Sequence, residues 1–77
     1  MKITYDPDVN AAYIQIVPTI LPGQASEQIH SIATPGGKGE LILDFNSNGE
    51  LLGVEVLNAK DVLPSSVLAD AEPPATT

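Results

Sequence analysis

Cysteine and arginine are absent from this sequence, and histidine occurs once, at position 30. Without thiols there is no disulfide framework, no cysteine nucleophile and no thiolate-ligated zinc, and one imidazole cannot make a histidine-rich metal site. Aromatic residues are scarce: Tyr5, Tyr13 and Phe45 are the only three, too few for a base-stacking platform. Positive charge is scarcer still relative to its opposite, with three cations against ten acidic residues and a net charge of -7. That field repels phosphate backbones and anionic lipid surfaces, so neither nucleic acid nor membrane is expected as a partner, whereas a basic protein would be drawn in. No window approaches the roughly 18 apolar residues of a membrane span, and MKITYDPDV lacks the apolar run of a signal peptide. The expected location is cytoplasmic.

The 77 residues make one domain, expected over 1–70, with a disordered tail at 71–77 (A-E-P-P-A-T-T). A domain of this size buries only about 60 to 65% of its unfolded surface, so its stability is marginal unless something is added, and oligomerisation is the expected addition.

The expected fold is α+β and strand-rich: an antiparallel β-meander of about five strands, two of its hairpins clear, then one or two short helical turns. Lys2 to Tyr5 alternates polar and apolar residues, Asp6-Pro7-Asp8 supplies turn chemistry closed by Asn10, and Ala12 to Val17 resumes a strand. Pro18 and Pro22-Gly23 end it in a loop over 19–26. Glu27 to Ala33 is a weaker strand, Pro35-Gly36-Gly37-Lys38-Gly39 a flexible reversal, and Glu40 to Phe45 and Leu51 to Leu57 the arms of a second hairpin. Asn58 with Asp61 resembles a helix N-terminus, and Pro64 divides the helical region into Ala59 to Leu63 and Ser65 to Asp70.

The segment DFNSNGELLGVE, Asp44 to Glu55, satisfies the calcium-loop pattern of an EF-hand. An EF-hand needs a helix on either side, yet Gly36, Gly37 and Gly39 leave only Glu40 to Leu43 for the entering one. The N-S-N-G tetrad suits a three-residue hairpin loop, a type I turn followed by glycine in the left-handed region. That turn sets Asn46 against Glu50, and a regular ladder beyond it sets Phe45 against Leu51, Asp44 against Leu52, Ile42 against Val54 and Leu41 against Glu55. Asp44 and Glu55 then point to opposite faces roughly 10 Å apart, too far to share one ion.

Other stretches that invite chemistry have plainer readings. His30 and Ser31 are adjacent in a strand and so lie on opposite faces, which denies them a shared catalytic site. The P-G-G-K-G stretch lacks the Ser or Thr and the following helix of a phosphate loop. Glu55 is either a solvated outer-face residue or a partly covered carboxylate with a perturbed pKa, and alternation alone does not choose. No catalytic residue, cofactor or metal ligand is assigned.

The motifs Tyr5-Asp6-Pro7-Asp8, Asn10-Ala11-Ala12-Tyr13-Ile14, Leu41-Ile42-Leu43-Asp44-Phe45 and Gly49-Glu50-Leu51-Leu52-Gly53-Val54-Glu55-Val56-Leu57 resemble the prokaryotic family known as domain of unknown function 2283. The chain has Asn10 where that family often has Asp, Asn46 and Asn48 where acidic residues are common, and a longer proline-containing link between the hairpins. The resemblance implies a compact strand-rich fold and no assigned activity. Occasional proximity of such genes to small toxin-like proteins implies an antitoxin or partner-binding role for some members.

In the regular register, Leu41, Leu43, Phe45, Leu51 and Leu57 share one face and Ile42, Leu52, Val54 and Val56 the other. Two apolar faces exceed what one or two helical turns can cover, so one face is expected to meet another subunit or a partner chain, in a homodimer or an obligate heteromer. The expectation is a non-enzymatic, homodimeric interaction module with Leu41, Leu43, Phe45, Leu51 and Leu57 as its candidate interface. The alternatives are an antitoxin-like partner of a basic toxin and a carboxylate-based enzyme or metal-binding protein.

Overall fold

The computed structural model describes residues 1–74. Five strands form one antiparallel sheet: β1 (Lys2–Asp6), β2 (Ala11–Gln15), β3 (Glu27–Ala33), β4 (Glu40–Phe45) and β5 (Leu51–Leu57). Two short helices follow, α1 (Ala59–Val62) and α2 (Ser65–Asp70). The strand class, both hairpins and both helical turns are those the sequence pattern predicts. The spatial order is β1-β2-β5-β4-β3, which departs from the expected five-strand meander: only β3, β4 and β5 form one, and the β1–β2 hairpin docks on β5 because β2 pairs there instead of with β3. β5, which combines alternating β-branched residues with small ones, takes the central place, where a strand is paired on both edges.

Local chemistry sets the turns. The Asp6 side chain accepts the amide of Asp8 at 2.9 Å, an Asx turn that starts the first reversal. In the second hairpin, Asn46 donates its amide to the Glu50 carbonyl, Gly49 donates to the Asn46 carbonyl, and Gly49 has φ 77°. That is the expected three-residue loop with glycine in the left-handed region.

Beyond that loop the register differs from a regular ladder. Phe45 pairs with Leu51 as expected, but Asp44 pairs with Gly53, Ile42 with Glu55 and Leu41 with Val56. An extra residue, Leu52, is accommodated as a bulge, and a one-residue shift moves every later side chain of β5 to the other face. The expectation of two apolar faces is therefore overturned. Leu41 and Leu43 now share a face with Val54 and Val56, while Glu40, Ile42 and Asp44 share the other with Gly53, Glu55 and Leu57. The bulge is favoured because it separates apolar from polar side chains, which a regular register mixes on both faces. Of the five candidate interface residues, Leu57 lies on the opposite face from Leu41, Leu43, Phe45 and Leu51, and Leu41 packs against the helix-covered cluster.

The helices cover the apolar face over β1, β2 and β5. Ala12, Val56 and Ala59 form the buried cluster, with Tyr5, Ile14, Leu41, Val54, Val62, Leu63 and Leu68 packed around it. Burial is thin: Val56, at 1% exposure, is the largest fully buried side chain. After α2 the backbone returns to the outer edge of β1, where Glu72 accepts the Tyr5 amide at 2.8 Å and donates to the Ile3 carbonyl at 2.9 Å. Thus Glu72, within the tail expected to be disordered, is engaged with the sheet, while residues 75–77 of that tail lie outside the described residues.

Candidate functional site

The face of the sheet without helices carries the buried polar side chain Asp44 and the hydrogen bonds that satisfy it. Its centre is Gly53 on β5, flanked in register by Gln15 on β2 and Asp44 on β4. A Cβ on Gly53 would lie 2.2 Å from the Tyr13 hydroxyl and 2.4 Å from Cζ, so the tyrosine ring occupies the space that a side chain would take. A glycine inside a strand commonly marks such a close approach. Crossing the glycine, the Tyr13 hydroxyl donates to Asp44 Oδ2 at 2.8 Å. From the other side Gln28 on β3 donates to Asp44 Oδ1 at 2.6 Å. Both carboxylate oxygens of Asp44, only 7% exposed, are thereby satisfied, as a buried polar group requires.

Three influences raise the Tyr13 hydroxyl above the usual tyrosine range: burial first, then the hydrogen bond it donates to Asp44, then the negative charges of Asp44 and Glu55. It stays protonated and remains a donor at physiological pH. Glu55 pairs in register with Tyr13 on one side and Ile42 on the other, and it is half-buried. The hydrogen bonds of the network end on Asp44 and leave Glu55 outside them.

This geometry revises one step of the calcium argument. Asp44 and Glu55 point to the same face, contrary to the regular register, because of the bulge at Leu52. Asp44 is nevertheless committed to Tyr13 and Gln28. Asn46 is also committed: its Oδ1 accepts the amides of Asn48 at 2.9 Å and Glu50 at 3.0 Å, and its Nδ2 donates to Glu50 Oε1. Among the described residues, no group of three or more His, Asp or Glu side chains is placed to hold a metal ion. Glu55 is half-buried on the helix-free face.

The other flagged residues stand apart from this centre. His30 is exposed on β3. Ser31 beside it has φ 60°, within the irregularity between Ile29 and Ile32. The P-G-G-K-G reversal contains a single 3-10 turn at Pro35–Gly37, clasped by Thr34, whose Oγ1 accepts the Gly39 amide at 2.9 Å.

Asn58 does not cap α1 with its side chain, as its position had suggested, because it adopts the left-handed conformation at φ 59°. Asn10, itself at φ 53°, takes over: its carbonyl accepts the Ala59 amide at 2.9 Å and its Oδ1 the Lys60 amide at 3.0 Å. Asn10 also accepts from the Tyr5 hydroxyl at 2.9 Å and donates to Asn58 Oδ1 at 2.8 Å. The first hairpin is thus tied to the junction between β5 and α1 by polar side chains.

Sequence reasoning missed Tyr13, Gln28 and Gly53 as one unit. A glycine between Leu52 and Val54 in a mainly apolar strand was the available signal, but its tyrosine partner lies on another strand.

The model of a family described as proteins of unknown function, DUF2283, matches residues 2–60. The chain belongs to the DUF2283 family. The matched segment contains all five strands, with Tyr13, Gln28, Asp44, Gly53 and Glu55, and ends within α1. Neither the comparison with curated proteins nor that with solved structures returns a match. For this DUF2283 chain, α2 and the Glu72 pairing lie beyond the matched segment. Among the described residues no helix is long and apolar enough to cross a membrane.

Proposed function

We propose that this DUF2283 protein is a non-enzymatic interaction module that associates with a second copy of itself. The observation that carries the reading is an apolar strip on the helix-bearing face where the helices do not reach. Leu43, Phe45 and Leu51 are half-buried and outside the cluster packed by α1 and α2, and neighbouring Ile29 is 50% exposed. Register places Ile29 beside Leu43 and Leu51 beside Phe45, so the strip is continuous across β3, β4 and β5.

Surface area supports the same reading. The chain exposes 5099 Å², whereas compact monomers of its 8.0 kDa mass expose about 4,500 Å² by the usual scaling. The excess is that of a flat sheet with an exposed loop over 21–26, a shape that leaves the apolar strip uncovered. Light scattering over a concentration series tests the proposal: a dimer that Phe45→Glu converts to a monomer is expected. A monomer at high micromolar concentration would remove the reading.

A second reading, an antitoxin-like protein that binds a basic partner, has the charge of -7 in its favour. The carboxylate-enzyme alternative is weaker, because Asp44 is buried beneath its own hydrogen bonds and presents no free oxygen to a substrate.

A further inference from the structure

We infer that the helix-free face of the sheet is a docking surface for a lysine- or arginine-rich segment of a partner protein. This deepens the second reading by giving its basic partner a place. It does not depend on self-association, which uses the opposite face.

The carboxylates borne by the strands themselves are divided unequally between the two faces of the sheet, those of α1, α2 and the segment after them adding to the other side. Of the five carboxylates on the strands, Asp6, Glu40, Asp44 and Glu55 lie on the helix-free face, and Glu27 alone lies with the apolar side chains. The one strand cation of this face, Lys2, lies at its outer corner on β1. A second copy would bring the same sign of charge and a nucleic acid would bring phosphates, so electrostatic complementarity selects a cationic protein.

The apolar content selects the kind of cation. One row across the sheet reads Thr4, Tyr13, Glu55, Ile42, and the next reads Asp6, Ala11, Leu57, Glu40. Lysine and arginine carry an apolar stem and a charged head. A stem laid between these rows meets Ile42 and Leu57 while its head reaches Glu55 or Glu40. The Tyr13 ring is pressed against Gly53 and half-buried, and a cation seated against its exposed part would gain a cation–π contact. Thr4, Asp6, Tyr13 and Glu55, with Pro74 of the C-terminal segment, help to line a shallow depression at this place. Asp44 acts by holding Tyr13 down, and Glu55 is the contact residue.

An octalysine peptide titrated into 15N-labelled protein tests the inference, with amide shifts as the readout. Shifts clustered on Thr4, Tyr13, Ile42, Gly53, Glu55 and Leu57 are expected. Glu55→Gln is expected to weaken binding about fivefold, the size of one partly exposed ionic contact, while Asp70→Asn removes equal charge from α2 with little effect. Circular dichroism of both variants confirms that they fold. Shifts spread evenly over Asp61, Asp70 and Glu72, or equal weakening by both variants, would overturn the surface while leaving a diffuse attraction to basic partners. Absence of any binding at low salt would overturn the surface and the second reading together.

Discussion

The two faces of the sheet are held by different physics. On the helix-bearing face Val56 and Ala12 contact Ala59, and stability comes from excluding water from small apolar side chains. Among the described residues the opposite face has no helix above it and covers itself: Tyr13 lies across Gly53, and Tyr13 and Gln28 close over Asp44. One face tolerates small changes of shape, whereas the other depends on a specific hydrogen-bond geometry around a missing side chain. A thin core of this kind makes the second device more important than it would be in a larger domain.

The strongest test of that contrast is Gly53→Ala. The added methyl meets the Tyr13 hydroxyl and ring at under 3 Å, displaces the ring and strips a donor from buried Asp44. A loss of about 2 to 4 kcal/mol is expected from the combined overpacking and lost hydrogen bond, measured by urea denaturation. A loss under about 0.5 kcal/mol would mean that the ring has another comfortable position.

Val56→Ala probes the other face. It removes two methylene-sized groups from the centre of the cluster, and about 2 kcal/mol is expected from the transfer and cavity contributions. If it proved costlier than Gly53→Ala, the helix-covered face would dominate stability and the contrast would reverse.

Tyr13→Phe should have the smallest effect near neutral pH, about 1 kcal/mol, because the ring stays and only one hydrogen bond is lost. Its pH dependence is more telling. In the unfolded chain the hydroxyl loses its proton near pH 10, while the folded protein holds it to higher pH. Stability from this group is therefore intact below about pH 10 and declines as pH rises above it, since the folded state then binds more protons. Alkaline denaturation followed by circular dichroism should be steeper for the parent chain than for the Phe variant. Equal slopes would place the hydroxyl in a water-like environment.

The two hairpins differ in how far local pattern could be followed. N-S-N-G specifies its loop by residues in contact along the chain, and Asp6 and Asp8 do the same for the first turn. The register beyond the second loop was not legible because the bulge at Leu52 gains its advantage from the whole sheet, by gathering Leu41, Leu43, Val54 and Val56 on one side. The candidate site shared that fate: Glu55 and Asp44 were visible as acidic residues, but their common face followed from the bulge. Asn10 as the cap of α1 was equally hidden, because the donors it receives come from Ala59 and Lys60, far along the chain.

The sequence by itself determined the strand periods, the turn types, the division of the helical region by Pro64 and the electronegative character of the protein, all of which follow from neighbouring residues or simple sums of charge. Tertiary structure decided which strands adjoin, which side of the sheet each side chain occupies and where Tyr13 rests. Those outcomes depend on distant backbones meeting, and on the free energy gained when one face collects the apolar side chains and the other closes its polar ones around Gly53.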